Sequence, residues 1–328
     1  MIKRVLFIGD NHIDDFQPIG RVDDYFKTGQ DELLESLQIG RNEKVDAVVF
    51  LGDIFHRMEP SGQVRNSVLR LLMSDENGKP WPFEKYITVG NHDIRHNPAN
   101  LERSTLGTLI QTGVLKYVDV ATHLGIGFVH FAPHVCEQLG AGMLQEIQSR
   151  YEEPIYIWAM HASVTPGKYF GDHIQIEDVV VNDPCKLLVC GHIHMPMRHL
   201  RTDKVLFMNP GSIGRTALRK EHVDRMPEVM LVEYETDDGT YKIGMQALEC
   251  CQPADEIFSV QAADNRKRQK ADTQKYIRQL SALSVLNEDI NKYDALRASG
   301  ESKSLEPSVI DLAVSALRAA GENIETVD

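Results

Sequence analysis

Long apolar runs are missing from this chain of 328 residues. None approaches the roughly 18 residues or more that a membrane-spanning helix needs, so no membrane association is expected. Met1 leads straight into a strand-like run, without the apolar core of a secretory leader. Cysteine is scarce: there are five, none at zinc-type spacing, and the adjacent Cys250 and Cys251 would make a poor staple. A disulfide framework is therefore excluded, and a reducing, cytoplasmic setting is expected. Positive charge is also short, with 35 Lys and Arg against 48 Asp and Glu, a formal net charge of −13. That balance argues against a broad, nonspecific grip on nucleic acid, which needs clustered Lys and Arg. It leaves room for a local positive site, because two divalent cations between two carboxylates carry about +2. Internal repeats and low-complexity tracts are absent.

What is present is an ordinary globular composition, 42% hydrophobic and 25% charged, enough for one large domain with a smaller appendage. Apolar, β-branched runs end abruptly in glycine followed by a ligand-type residue. They are Val5 to Ile8 before Gly9-Asp10-Asn11-His12, Val48 to Leu51 before Gly52-Asp53, Ile87 to Val89 before Gly90-Asn91-His92-Asp93, and Leu188 to Cys190 before Gly191-His192-Ile193-His194. Another run, Ile155 to Met160, ends directly in His161. Such runs read as buried strands with sharp exits, and strand ends are where an α/β sheet builds its site.

Helices are expected over Asp31 to Arg41 and Gln63 to Met73, where apolar residues recur at helical spacing. Later strands are expected at Val205 to Met208, Val229 to Tyr234 and Tyr241 to Leu248, giving an α/β fold with an antiparallel closing part. The domain boundary is placed at residues 252 and 253. Beyond it, Asn265 to Arg297 carries an amphipathic pattern, Ala298 to Ser304 reads as a linker, and Ser308 with Asp311 suggests a capping box for a last helix ending at Gly321. These helices either cover the protein's own core or dock a partner or a second copy. The basic run Arg266-Lys267-Arg268 and Lys270 reads as a solvated helix face.

Asp10 and His12 are two residues apart, as are His192 and His194, and in extended chain such pairs project to one side. A single pair would be ordinary turn chemistry or a surface histidine; the joint occurrence at successive strand ends points to a metal site. Imidazoles mixed with carboxylates and an amide, without thiolate, suit Mn²⁺, Fe²⁺ or Zn²⁺ better than Ca²⁺. Asp10, His12, Asp53, Asn91, His161, His192 and His194 are too many ligands for one ion. Two ions about 3.5–4 Å apart, sharing a carboxylate, satisfy them and suit displacement at phosphorus.

The ordered set Gly-Asp-x-His, Gly-Asp, Gly-Asn-His-Asp, a later His and Gly-His-x-His resembles that of the calcineurin-like metallophosphoesterases, over roughly residues 2 to 250. The resemblance implies a four-layer αββα sandwich of two mixed sheets flanked by helices. It implies that Asp10, His12, Asp53 and His194 hold one ion and Asp53, Asn91, His161 and His192 the other, with Mn²⁺ foremost and Fe²⁺, Zn²⁺ or Mg²⁺ as alternatives. His92 would protonate or stabilise the leaving oxygen, with Asp93 orienting it. The continuation Asp53-Ile54-Phe55-His56-Arg57 is similar to that of the SbcD nucleases, relatives of the meiotic-recombination-eleven nuclease. That implies DNA as substrate, His56 on the scissile phosphate, an SMC-like coiled-coil ATPase (SbcC-type) as partner, and a homodimer. Little room remains after Leu248 for the capping domain of larger members, so a compact viral or plasmid-type variant is expected.

Basic residues just beyond the motifs, Arg57, Arg95, Lys168, Arg215 and Arg219, are candidates for DNA phosphate contacts. His130 and His134 match no ligand position. Rival readings are a small-molecule phosphodiesterase or nucleotide phosphatase on the same scaffold, and a non-catalytic interaction scaffold.

Overall fold

The computed structural model describes residues 1–131, 134–169, 171–237, 239–284, 297, 300–301 and 307–322. The chain divides after Phe258 into two compact units. The first unit holds two sheets. Strand β1 (Ile2–Ile8) lies at the centre of a five-stranded sheet, parallel to β2 (Ala47–Phe50), which is in turn parallel to β3 (Glu84–Ile87). On its other side β1 runs antiparallel to β12 (Glu228–Glu235), and β13 (Tyr241–Ala247) closes that edge.

The second sheet has six strands in the order β10-β11-β9-β6-β5-β4. Its parallel centre consists of β5 (Ile126–Val129), β6 (Ile157–His161), β9 (Leu187–Gly191) and β11 (Leu206–Asn209). The short β4 (Val120–Ala121) and β10 (Met197–Leu200) cap its edges antiparallel. A small separate pair, β7 (Val164–Thr165) and β8 (Ile174–Gln175), lies outside both sheets.

Alternation along the central strands explains the layers. Val5 and Phe7 of β1 meet Val49, Ala159, Leu187 and Val189 in the core between the sheets. Leu6 and Ile8, pointing the other way, meet Leu33 and Leu37 of helix α1 (Tyr25–Asn42) and Val64, Val68 and Leu72 of α2 (Gly62–Met73). On the second sheet, Trp158, Met160 and Leu188 face Val135 and Leu139 of α5 (Val135–Gly140) and Leu144 of α6 (Met143–Gln148). Strands covered on both faces are apolar without interruption, which is why the runs read as buried. The fold is the four-layer α/β sandwich expected. At 25 cal/mol per Å² or so, these three cores supply most of its stability.

Helix α1 starts six residues before the expected Asp31, capped by Asp24, whose carboxylate accepts from the Lys27 N–H at 3.0 Å. The earlier start brings in Tyr25, buried and donating from its hydroxyl to the His12 carbonyl at 2.6 Å. Strand β3 stops at Ile87 rather than Val89. Two further short helices matter below: α3 (Asn91–Ile94) and α7 (Lys220–Val223).

The second unit begins at Ser259. Its helix α9 (Val260–Ser284) covers the first part of the amphipathic stretch; residues 285–296 lie outside the described residues, as does most of the proposed linker. The final helix, Pro307–Glu322, starts before Ser308, so Ser308 sits inside the first turn and does not cap it. No described helix is long and apolar enough to cross a membrane.

Candidate metal centre

The exits of β1, β2, β3, β6 and β9 converge on one edge of the sandwich. Ligand atoms of Asp10, His12 and His194 lie within 4.8 Å of one another, and so do those of Asp53, His161 and His192. His12 Nε2 and His194 Nε2 are 2.9 Å apart, and Asp10 Oδ2 is 3.5 Å from His194 Nε2. Asn91 Oδ1 is 3.1 Å from His161 Nε2 and 2.9 Å from His192 Nδ1. Asp53 Oδ2 stands between the groups, 3.8 Å from His12 Nε2 and 3.5 Å from His161 Nε2. All seven expected ligand residues are thus brought together, with Asp53 where a shared carboxylate belongs.

The donor chemistry fits cations. His161 Nδ1 donates to the Leu51 carbonyl at 2.6 Å, so the Nε2 of the neutral ring carries a lone pair. That lone pair faces the Asp53 carboxylate and the Asn91 amide oxygen, three acceptors that repel unless a positive charge stands among them. Burial first, then the facing carboxylates of Asp93 and Asp10, push the Asp53 carboxyl well above its ordinary range. A divalent cation is the partner that restores its charge. Burial also lowers His12 and His161, and holds His192 down at about 3, with neighbouring imidazoles adding to the effect. Neutral imidazole is the form that ligates. Burial alone would raise Asp10, but the hydrogen bond from His194 and the surrounding histidines outweigh it and hold it well below the usual range.

The backbone is contorted at three of these positions: φ is +51° at His12, +50° at Asp53 and +80° at His192. Left-handed backbone at a non-glycine costs on the order of 1–3 kcal/mol and persists only where neighbours over-determine it. Here they do. The Asn11 and His12 N–H groups donate to the Asp53 carbonyl at 3.1 and 2.9 Å, and the His192 N–H donates to Asp10 Oδ1 at 3.1 Å. The exits have no room for a side chain at their glycines. A Cβ on Gly52, whose φ is +95°, would collide with the His161 ring, and one on Gly90 would collide with the Asp53 carboxylate.

His92 sits beside the seven. Its Nδ1 donates to the His56 carbonyl at 2.7 Å, which leaves Nε2 to face the site. The His92 ring is 4.7 Å from the His12 ring and 5.1 Å from the His56 ring, centroid to centroid. Burial lowers both His56 and His92. Ligand atoms of His12, His56 and His92 also lie within 4.8 Å of one another, so His56 belongs to the site edge and not to open surface.

Two expectations are corrected. Asp93 does not hold His92; its Oδ2 accepts from the Asp53 N–H at 2.9 Å and the Gly90 N–H at 3.0 Å, tying two strand exits together. Burial raises its carboxyl to about 7. Arg215 is fully buried, at 0% exposure, and donates to the Gln252 carbonyl at 2.7 Å, so it cannot meet a DNA phosphate. Arg57 is half-exposed but paired with Asp14 and with Asp15, the latter at 2.9 Å. Arg95, Lys168 and Arg219 are exposed. His130 packs against Tyr117, the rings tilted by 38° with centroids 4.1 Å apart, and accepts the Val89 N–H at 3.3 Å, a packing role.

Two residues escaped the sequence reading. His222 on α7 places Nε2 3.1 Å from His194 Nδ1, and its own Nδ1 lies 3.1 Å from both the backbone N–H and the carbonyl of Ala217. If His222 Nδ1 donates to that carbonyl, its Nε2 accepts from His194 Nδ1–H and leaves His194 Nε2 free to ligate. Phe131 stands against the other half, its ring 5.9 Å from His161 and 5.8 Å from His192. His222 lies in no strand-exit pattern that could have announced it; Phe131 follows the exit of β5, but a phenyl ring is not a ligand type.

Residues 3–196 match the calcineurin-like phosphoesterase family. No curated protein matches the chain. Among solved structures, the chain is similar to a dimetal phosphatase from Danio rerio, at 13% identity over 75% of this chain and 99% of that one, with a TM-score of 0.42. It is also similar to the calcineurin-like phosphoesterase YfkN from Bacillus subtilis, at 12% identity over 83% of this chain and 97% of that one, with a TM-score of 0.45.

Proposed function

Since the chain belongs to the calcineurin-like phosphoesterases, and is a two-metal hydrolase of phosphate esters, we propose that its substrate is DNA and that it acts as an SbcD-type nuclease in repair or recombination. The observation that carries this reading is His56. The residue that follows the Gly-Asp strand exit by three positions stands 5.1 Å from His92, ring to ring, where it can reach a phosphate oxygen.

When bound, the two ions, with Mn²⁺ the first choice, would supply an activated water and neutralise charge on the phosphate oxygens. Asp10, His12 and His194 would hold one, His161, His192 and Asn91 the other, and Asp53 both. The protein's own contribution is orientation and proton handling. With Nδ1–H committed to the His56 carbonyl, His92 turns only Nε2 to the leaving oxygen, and it acts as a general acid once Nε2 has taken up a second proton. His56 would steady a non-bridging oxygen from the same side. Arg57, Arg95 and Lys168 remain as backbone-phosphate contacts on the rim, positioning without reading sequence. Helix α9 and the final helix are proposed as the docking surface for an SMC-like ATPase and for a second copy of the chain.

The test is turnover of end-labelled duplex DNA against cyclic nucleotides, each with Mn²⁺ and with Mg²⁺. Preferential cleavage of DNA is expected. Hydrolysis of cyclic nucleotides with intact DNA would transfer the site to the small-molecule reading. Removal of Ser259 onward should abolish ATPase binding; unchanged binding would end the docking proposal.

A further inference from the structure

Beside the ligand set lies a cavity of about 800 Å³, with His192 forming part of its wall. Phe131, His96, His173 and Cys136 line it, together with the carboxylates Asp172 and Glu137. We infer that this cavity is a subsite for a single nucleoside, the one esterified to the phosphate under attack; this rests on the phosphodiesterase reading above and names the part of the substrate that lies next to the ions.

Position is the first argument. A group bound against His192 is an immediate neighbour of any phosphate held at the second group of ligands. Size is the second: small-ligand sites run from about 300 to 1,000 Å³, and a base with its sugar fits within one. The wall chemistry is the third. Phe131 is half-buried, its ring tilted 35° to His192 and standing edge-on to His96 at 5.9 Å, so an aromatic surface borders the ligand imidazoles. Aromatic faces hold unstacked bases without regard to sequence. Charge is the fourth. Among the described residues neither Lys nor Arg lines the cavity; four histidines (His96, His134, His173 and His192) and two carboxylates do. A second phosphate or a polyphosphate tail meets no fixed cation there, whereas the exocyclic amino groups of a base find carboxylate acceptors. A base entering this cavity has left the helical stack, so the subsite favours a strand end or an unpaired stretch over the interior of a duplex.

Cys136 gives a direct readout. It and Cys250 are the partly buried cysteines, while Cys185, Cys190 and Cys251 are buried. In full-length protein carrying Cys250→Ser, deoxyadenosine should slow alkylation of Cys136 by N-ethylmaleimide about tenfold, within the range expected for base stacking. Pyrophosphate should give no protection. Absence of protection by the nucleoside, or equal protection by pyrophosphate, would overturn the proposal. The second measurement compares kcat/KM for thymidine 5′-(4-nitrophenyl phosphate) with that for methyl 4-nitrophenyl phosphate in Mn²⁺. Native protein should favour the nucleoside ester by about tenfold. Cys136→Trp, or the Cys250→Ser protein alkylated at Cys136, should lose that preference; a ratio unchanged in both would refute the subsite. If neither diester is hydrolysed while deoxyadenosine still protects Cys136, it is the phosphodiesterase reading that fails.

Discussion

The two halves of the ligand set are built differently. His161 itself is closed in: the side chain is 0% exposed and its ring is fixed by the Leu51 carbonyl, part of the strand exit itself. Around His194 the site is looser: that side chain is 24% exposed, and its ring is held by another side chain, His222, on the short helix α7. A backbone acceptor inside a sheet layer cannot move without the fold. A histidine on a four-residue helix can. The His161 half should therefore behave as a preformed socket, and the His194 half as one that tightens when its ion arrives.

Asp53 joins the halves, and its loss should erase the contrast. Asp53→Ala is expected to lower turnover roughly 10⁴-fold, because charge stabilisation at both positions goes together; elemental analysis should show both ions lost. Retention of one full equivalent would mean that Asp53 is not shared. Next in size, His92→Ala should cost about 10³-fold in kcat with both ions kept, the range of a lost general acid. Activity equal to the native protein in Mn²⁺ would remove His92 from the mechanism.

His222→Ala sharpens the comparison most directly. Loss of a partner that orients a metal-bound histidine weakens metal binding by about 10–100-fold. Titration calorimetry should show this for one ion and leave the other at its native affinity. If both weaken alike, the halves are not independent. The smallest change in free energy is expected from Gly52→Ala, which probes the closed half through stability. Its strained φ and the collision with His161 should cost about 1–3 kcal/mol, read by denaturant unfolding. An unchanged midpoint would mean that the socket yields after all.

The ligand set was legible because each member sits within a few residues of a strand end, and strand ends announce themselves through apolar runs broken by glycine. Asp10 and His12, or His192 and His194, need only local geometry to be paired. The α/β class followed from the same runs, since strands buried on both faces lack polar alternation, while the four layers followed only from the family resemblance. Contacts made across the sandwich left no such trace. His222 meets His194 from 28 residues away along a helix with no pattern of its own. Asp93 adjoins His92 in sequence, yet its carboxylate turns to the backbone of Asp53, a choice set by where two strand exits happen to meet. Arg215 looked like rim chemistry because it is a basic residue beyond the motifs, but the loop before it folds inward, with the Ile213 and Gly214 N–H groups on the Asp10 carbonyl at 3.0 and 3.1 Å.

The central place of the first strand bears on how the molecule is made. Ile2–Ile8 waits for a neighbour that arrives more than 200 residues later, when Ile2 pairs with Glu235 and Phe7 with Met230. Until Glu228–Glu235 has emerged from the ribosome, a row of unpaired amides flanks an apolar ribbon, the kind of naked border that recruits other nascent chains. A polypeptide cut after residue 196 would carry every ligand named here and still be expected to precipitate.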